Sequence, residues 1–172
     1  MIKDHKYIIK TRRLQLRNLT IEDALFIFNL VNEPSFLSNI GDKGVHDLED
    51  ARRFIKHGLW TNQEKEGYGQ LLVELKIKQH PIGMCGLLYR EYLDVSDVGF
   101  ALLPEYRGLG YAHEAASAVL VYGHKTLGID KIVGLTSITN HASIKVLKKL
   151  GMKFEKIVNM STNDPGTALY SE

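Results

Sequence analysis

The stretch Asp97–Ala115, DVGFALLPEYRGLGYAHEA, holds three parts whose order decides the fold. An apolar run ends at Leu103, a proline and two glycines turn the chain, and alanines then recur at helical spacing. Strand, turn and helix in that order aim several backbone N–H groups and a positive helix end at one spot. Such a spot favours an anion, and Gly108 and Gly110 leave room for a phosphate to reach the amides. A packing corner is the other reading of a bare glycine pair, and the turn alone does not separate the two.

Several nucleotide motifs are excluded. A Walker loop needs Gly-Lys-Ser/Thr at the helix entrance, whereas Gly110 is followed by Tyr111 and Ala112. The later GHKT at Gly123 falls deep inside the helix, where it cradles nothing. A dinucleotide fingerprint requires a third small residue where His113 stands, early in a repeated strand–helix–strand pattern.

Upstream, RLQLRNL (Arg13–Leu19) alternates Leu14 and Leu16 with polar residues, the period of a half-buried strand. Thr20 and Asp23 have capping-box spacing ahead of a helix that buries Ala24, Ile27, Phe28 and Val31 and closes near Pro34. Ser38–His46 has no period and reads as an ordered loop, and Asp47 caps a second helix carrying Ala51, Phe54 and Ile55. Three strands follow from Tyr68, with a hairpin turn at IKQH. Past the long helix, near Gly110 to Leu127, come the strand KIVGLTS and a helix capped by Asn140 that buries Ile144, Leu147 and Leu150 and ends at Gly151. MKFEKIVN and TALY read as the last two strands. The order β-α-α-β-β-β-α-β-α-β-β predicts an α/β (α+β) fold, a mixed, mostly antiparallel twisted sheet of about seven strands flanked by about four helices.

At 172 residues, 44% hydrophobic and 24% charged, the chain suits one domain over 1–172, with neither linker nor repeat to divide it. Its net charge of +2 is spread among nearly as many acids as bases, so no nucleic-acid partner is expected. No apolar run approaches the roughly 20 residues of a membrane helix, and MIKDHKYIIKTRR lacks a signal peptide's apolar core. A cytoplasmic protein without membrane contact is expected. Cys85 is the single cysteine and the histidines are dispersed, so neither a disulfide nor a metal site is expected.

Arg107, Gly110 and Ala112 fit the spacing Arg/Gln-x-x-Gly-x-Gly/Ala, which resembles the acyl-CoA pyrophosphate loop of the GNAT superfamily of N-acetyltransferases. NHASIKVLKKLGM (Asn140–Met152) resembles that family's Asn-x-x-Ser helix ending in Lys-x-Gly-Phe, with Met152 in place of the phenylalanine. The element order matches over nearly the whole chain. The branch it most resembles contains ribosomal-protein N-terminal acetyltransferases and many bacterial relatives, and NIGDKGVHDLEDA and PIGMCGLLYR look like a recurring subgroup within it.

The resemblance implies acetyl-CoA as cosubstrate and an amine acceptor, a protein N-terminus or a small molecule, attacked directly in a ternary complex. It places the pantetheine arm along Phe100 to Leu103, with Leu102 and Leu103 preferred, and the pyrophosphate on the backbone of Arg107, Gly108, Leu109, Gly110, Tyr111 and Ala112. Asn140 faces the pantetheine in this reading and is a helix cap in the plainer one. Asp97 is the candidate for assisting amine deprotonation through water, against a structural carboxylate at a sheet edge, with Glu74 in reserve. Ser143, at the position where this branch often has a serine near the coenzyme sulfur, is the candidate hydrogen-bond donor to the departing thiolate, against a plain first-turn serine; Leu147 stands where many members carry a tyrosine acid, which leaves Ser143, water or no group as the proton donor. His46 and His113 receive no role, Cys85 is read as a buried strand residue, and Glu114 as a structural partner at a helix N-terminus. Two other classes stay open: a non-catalytic acyl-CoA sensor or scaffold, and a partner- or RNA-binding domain using Lys145, Lys148 and Lys149.

Overall fold

The computed structural model describes residues 7–160 and 164–172. Its strands are β1 (Tyr7–Lys10), β2 (Leu14–Arg17), β3 (Gln70–Leu75), β4 (His80–Arg90), β5 (Val95–Leu102), β6 (Ile132–Ser137), β7 (Lys153–Val158) and β8 (Thr167–Ser171). They form one sheet in the order β1-β2-β3-β4-β5-β6-β8-β7. Neighbours are antiparallel except β5 and β6, which run parallel. The pattern reading of about seven strands omits β1, whose four residues YIIK are too short a run to show a period.

The predicted helices form as α1 (Ala24–Val31), α3 (Leu48–Phe54), α5 (Tyr111–Lys125) and α6 (His141–Lys149). α3 continues through a π-helical stretch, Ile55–Trp60, into α4 (Thr61–Glu66). The caps follow the sequence: Thr20 N donates to Asp23 Oδ2 (2.7 Å), and Asp47 accepts from Asp50 N (2.8 Å). One helix is unannounced. Pro34 opens α2 (Pro34–Asn39), with Glu33 accepting from the Ser35 and Phe36 amides. A proline that ends one helix thus begins the next, and a glutamate cap is not a usual start signal. The expected loop is correspondingly shorter, since Ser38 and Asn39 are helical.

Helices cover both faces of the sheet. Ala115, Ala116 and Val119 of α5 pack on Leu14, Leu16, Val73, Leu87 and Val98. Ile27, Leu30, Phe36, Ala51 and Ile55 pack on Leu72 and Met84 from the other side. β2 is not half-buried as predicted: all four of its residues are enclosed. Arg17 makes this possible by pairing with Asp23 through two bonds of 2.8 Å and with Glu74 at 2.7 Å, while Gln15 donates to Glu74 at 3.1 Å. Among the described residues no helix is long and apolar enough to cross a membrane.

Candidate active site

β5 and β6 pair only at Ser96↔Ile132 and Asp97↔Val133. Beyond Val133, β6 keeps its other edge on β8, so the two parallel strands part and leave a wedge-shaped gap. Leu103 N donates to Ile82 O at 2.9 Å, on the β4 side. By the alternation of a strand, Phe100 and Leu102 then direct their N–H and C=O groups into the gap. Of the two preferred residues, Leu102 therefore turns its backbone toward the gap, where its carbonyl accepts from Arg107 Nε at 2.8 Å. Both backbone groups of Leu103 are engaged within the chain, its carbonyl by Tyr106 N at 3.0 Å.

Asp97 sits at the closed end of the wedge, 2% exposed. Its side chain shares a sheet face with Ala101, which packs with the α1–α3 layer, while Val98 and Leu102 face α5. Burial pushes its carboxyl above the ordinary aspartate range, and Arg90, with Nε 2.6 Å from Oδ1, opposes that rise without cancelling it. The start of α6 stands at the open end, since β6 runs four more residues from Val133 to Ser137, about 13 Å of strand. There Asn140 Oδ1 accepts from Ser143 N at 3.1 Å, which makes it the helix cap, and Ser143 is half-buried in the first turn. Leu147 is fully buried against Gly134, part of the core rather than a group facing the cleft.

The glycine turn lies at the same open end. Pro104–Tyr106 forms a 3-10 turn, and Arg107 N donates to Pro104 O at 3.1 Å. Gly108 and Gly110 adopt φ of +73° and +82°, the left-handed region in which a side chain is strained. Glu114 N, bonded to Gly110 O at 3.0 Å, is the first amide inside the α5 ladder. The amides of Tyr111, Ala112 and His113 precede it and point out of the helix end. Leu109 is exposed beside them.

Two long-range braces hold this turn. Arg13 donates through Nη1 to Leu109 O (3.0 Å) and through Nε to Glu114 (2.6 Å), and its guanidinium lies 4.2 Å from the Tyr111 ring centroid. Thr11 Oγ1 and Arg13 N complete the Glu114 contacts at 2.6 and 2.7 Å. Burial raises the Glu114 carboxyl, but these bonds more than offset it and hold it below the ordinary glutamate range. Glu114 is thus the structural partner expected of it, whereas nothing in TRRLQLR marks Arg13, whose partners lie about 100 residues away. The second brace is Arg107, which donates through Nε to Leu102 O and through Nη2 to Glu33, both at 2.8 Å.

The remaining candidates fall elsewhere. Glu74, 2% exposed, is committed to Arg17 and Gln15. Cys85 is fully buried, which pushes its thiol up and leaves it unreactive. His113 Nε2 contacts Lys149 O at 3.3 Å, tying α5 to α6, and His46 N donates to Asp50. Among the described residues no cluster of three or more His, Cys, Asp or Glu side chains is placed to hold a metal ion.

A parallel pair that opens beside an exposed strand edge, leading to a helix N-terminus with a glycine turn, is an arrangement that could hold an extended, phosphate-bearing ligand. Residues 13–153 match the acetyltransferase (GNAT) domain family. The chain is 30% identical over 149 residues to the uncharacterized N-acetyltransferase YnaD of Bacillus subtilis (strain 168), covering 86% of this chain and 83% of that one. The crystal structure of the acetyltransferase from Agrobacterium tumefaciens str. C58 superposes with a TM-score of 0.80 at 26% identity, covering 95% and 92% of the two chains. RimL, a ribosomal L7/L12 alpha-N-protein acetyltransferase in complex with coenzyme A, shares the fold with a TM-score of 0.82 at 16% identity, over 96% and 97%. The protein belongs to the GNAT acetyltransferase family and is an acyltransferase.

Proposed function

We propose that the protein transfers the acetyl group of acetyl-CoA to a primary amine by direct attack in a ternary complex. One observation carries this reading: β5 loses β6 as a partner after Asp97, and the edge so freed leads past Leu102 to the amides of Gly108–Ala112. The Leu102 edge supports a pantetheine arm added as a strand, and the helix end supports the pyrophosphate. In this reading Asn140 and Ser143, at the α6 entrance, flank the bound coenzyme.

Transfer requires a neutral amine, whose nitrogen forms a bond to the thioester carbonyl carbon while the C–S bond breaks and the thiolate gains a proton. Asp97 faces the α1–α3 layer, from which an acceptor would approach, and its raised carboxyl is a stronger base than a surface aspartate. It takes the amine proton through water. The Ser143 hydroxyl donates a hydrogen bond to the thiolate, which takes its proton from water. The acceptor is a protein N-terminus, the kind of group RimL modifies, or a small-molecule amine.

Titration with acetyl-CoA in a calorimeter tests the first half, and absence of both heat and competition by CoA sinks it. Thiol release across N-terminal peptides, polyamines, aminoglycosides and simple amines tests the second. Coenzyme binding with no turnover on any amine would instead favour an acyl-CoA scaffold.

A further inference from the structure

Glu33 joins two parts of the molecule that lie far apart in sequence. A single oxygen, Oε2, accepts from Ser35 N (3.1 Å), Phe36 N (3.3 Å), the Ser35 hydroxyl and Arg107 Nη2 (2.8 Å). A carboxylate oxygen offers about two lone-pair sites, so these four donors compete. Three of them hold the start of α2, whose Phe36 is buried with Val45 and packs in one cluster with Ala101 and Leu103. The fourth belongs to the guanidinium whose Nε occupies the Leu102 carbonyl on the free strand edge. The Glu33 side chain is 15% exposed and that of Arg107 40%, so the carboxylate is largely shielded from water while the guanidinium stays partly accessible.

We propose that Glu33 is a positioning residue that couples coenzyme binding to the ordering of α2 on the acceptor side. A ligand anion on the glycine turn and a ligand N–H at the Leu102 carbonyl draw Arg107 away from Glu33, and Oε2 then closes on the Ser35 and Phe36 amides. The proposal rests on the acetyl-CoA reading above. Coupling of this kind is reciprocal, so an acceptor that packs on α2 also tightens the hold on the coenzyme.

Hydrogen exchange of the full chain, read at the Ser35 and Phe36 amides with and without saturating CoA, tests this, with calorimetry run alongside. In the wild type CoA is expected to slow both amides roughly fivefold. Glu33→Gln keeps a side-chain oxygen for the α2 amides but gives Arg107 no charge; it should still bind CoA while the slowing drops below about twofold. Arg107→Gln should show slow amides before CoA is added. Measured CoA heat with unchanged amides in the wild type overturns the coupling. Equal slowing in wild type and Glu33→Gln, or fast amides in Arg107→Gln, removes Glu33 from it. If CoA gives no heat, the acetyl-CoA reading falls and this proposal with it, an outcome that calorimetry alone distinguishes.

Discussion

Asp97 of β5 and Val133 of β6 are the last residues their strands pair, and a buried carboxylate therefore marks the point at which the sheet opens. Strand separation supplies free backbone groups on one side of that point, and burial supplies a perturbed acid at it. Neither needs the other for stability. Their coincidence is the reason for proposing the wedge as the place of the chemistry.

Asp97→Asn is expected to lower kcat/KM about 100-fold or more while leaving the affinity for acetyl-CoA within about twofold. Since activity needs the ionised form, the acidic limb of the pH profile should lie above the ordinary aspartate range and vanish in the variant. Stability carries the matching sign. A carboxyl raised on folding contributes stability below its unfolded pKa, and this is lost as pH rises through the folded value. Thermal unfolding of Asp97→Asn should lack that component.

Gly108→Glu places a charged side chain where phosphate is expected, at φ +73° and with open space for the Cβ. The left-handed conformation costs about 1–2 kcal/mol, small enough to leave the fold intact. Acetyl-CoA binding should become undetectable by calorimetry while circular dichroism is unchanged.

Arg13→Ala removes the bonds to Leu109 and Glu114 and the stacking on Tyr111. The KM for acetyl-CoA should rise about tenfold with kcat within about twofold, and denaturant unfolding should report a loss of about 2 kcal/mol. Glu114, held low on folding, contributes stability above its unfolded pKa that is lost as pH falls through its folded value. In the variant this acid sensitivity should weaken.

Arg17→Leu strands the buried carboxylates of Asp23 and Glu74 and should cost about 3–5 kcal/mol in chemical denaturation. Glu74→Gln, which keeps an oxygen toward Arg17, should leave kcat unchanged. A large fall in kcat would return Glu74 to the chemistry.

Ser143→Ala should reduce kcat about tenfold without altering acetyl-CoA affinity, because Asn140 caps α6 through the Ser143 backbone and not its hydroxyl. Single-turnover thiol release separates that effect from binding.

Period, caps and turn residues are local, and they determined most of what the chain is. Alternation in GFALL, the glycines of RGLG, the alanine spacing of α5 and the Asn140 cap each depend on neighbours a few residues away, so the fold and its strand, glycine turn and helix unit could be read directly. β1 and α2 escaped because four residues carry no period and a glutamate is a poor advertisement for a helix start. What only the tertiary structure decided are the contacts between distant segments: Arg13 on the glycine turn, Arg107 between Leu102 and Glu33, Arg17 between Asp23 and Glu74, and the engagement of both Leu103 backbone groups. Charge pairing and strand register leave no periodic trace in a sequence, since either partner reads alone as an ordinary surface residue. The acid at the end of the wedge could be named from its position on β5, but its burial came from the layers folded over it and its hold on Arg90 from the pairing of β4 with β5.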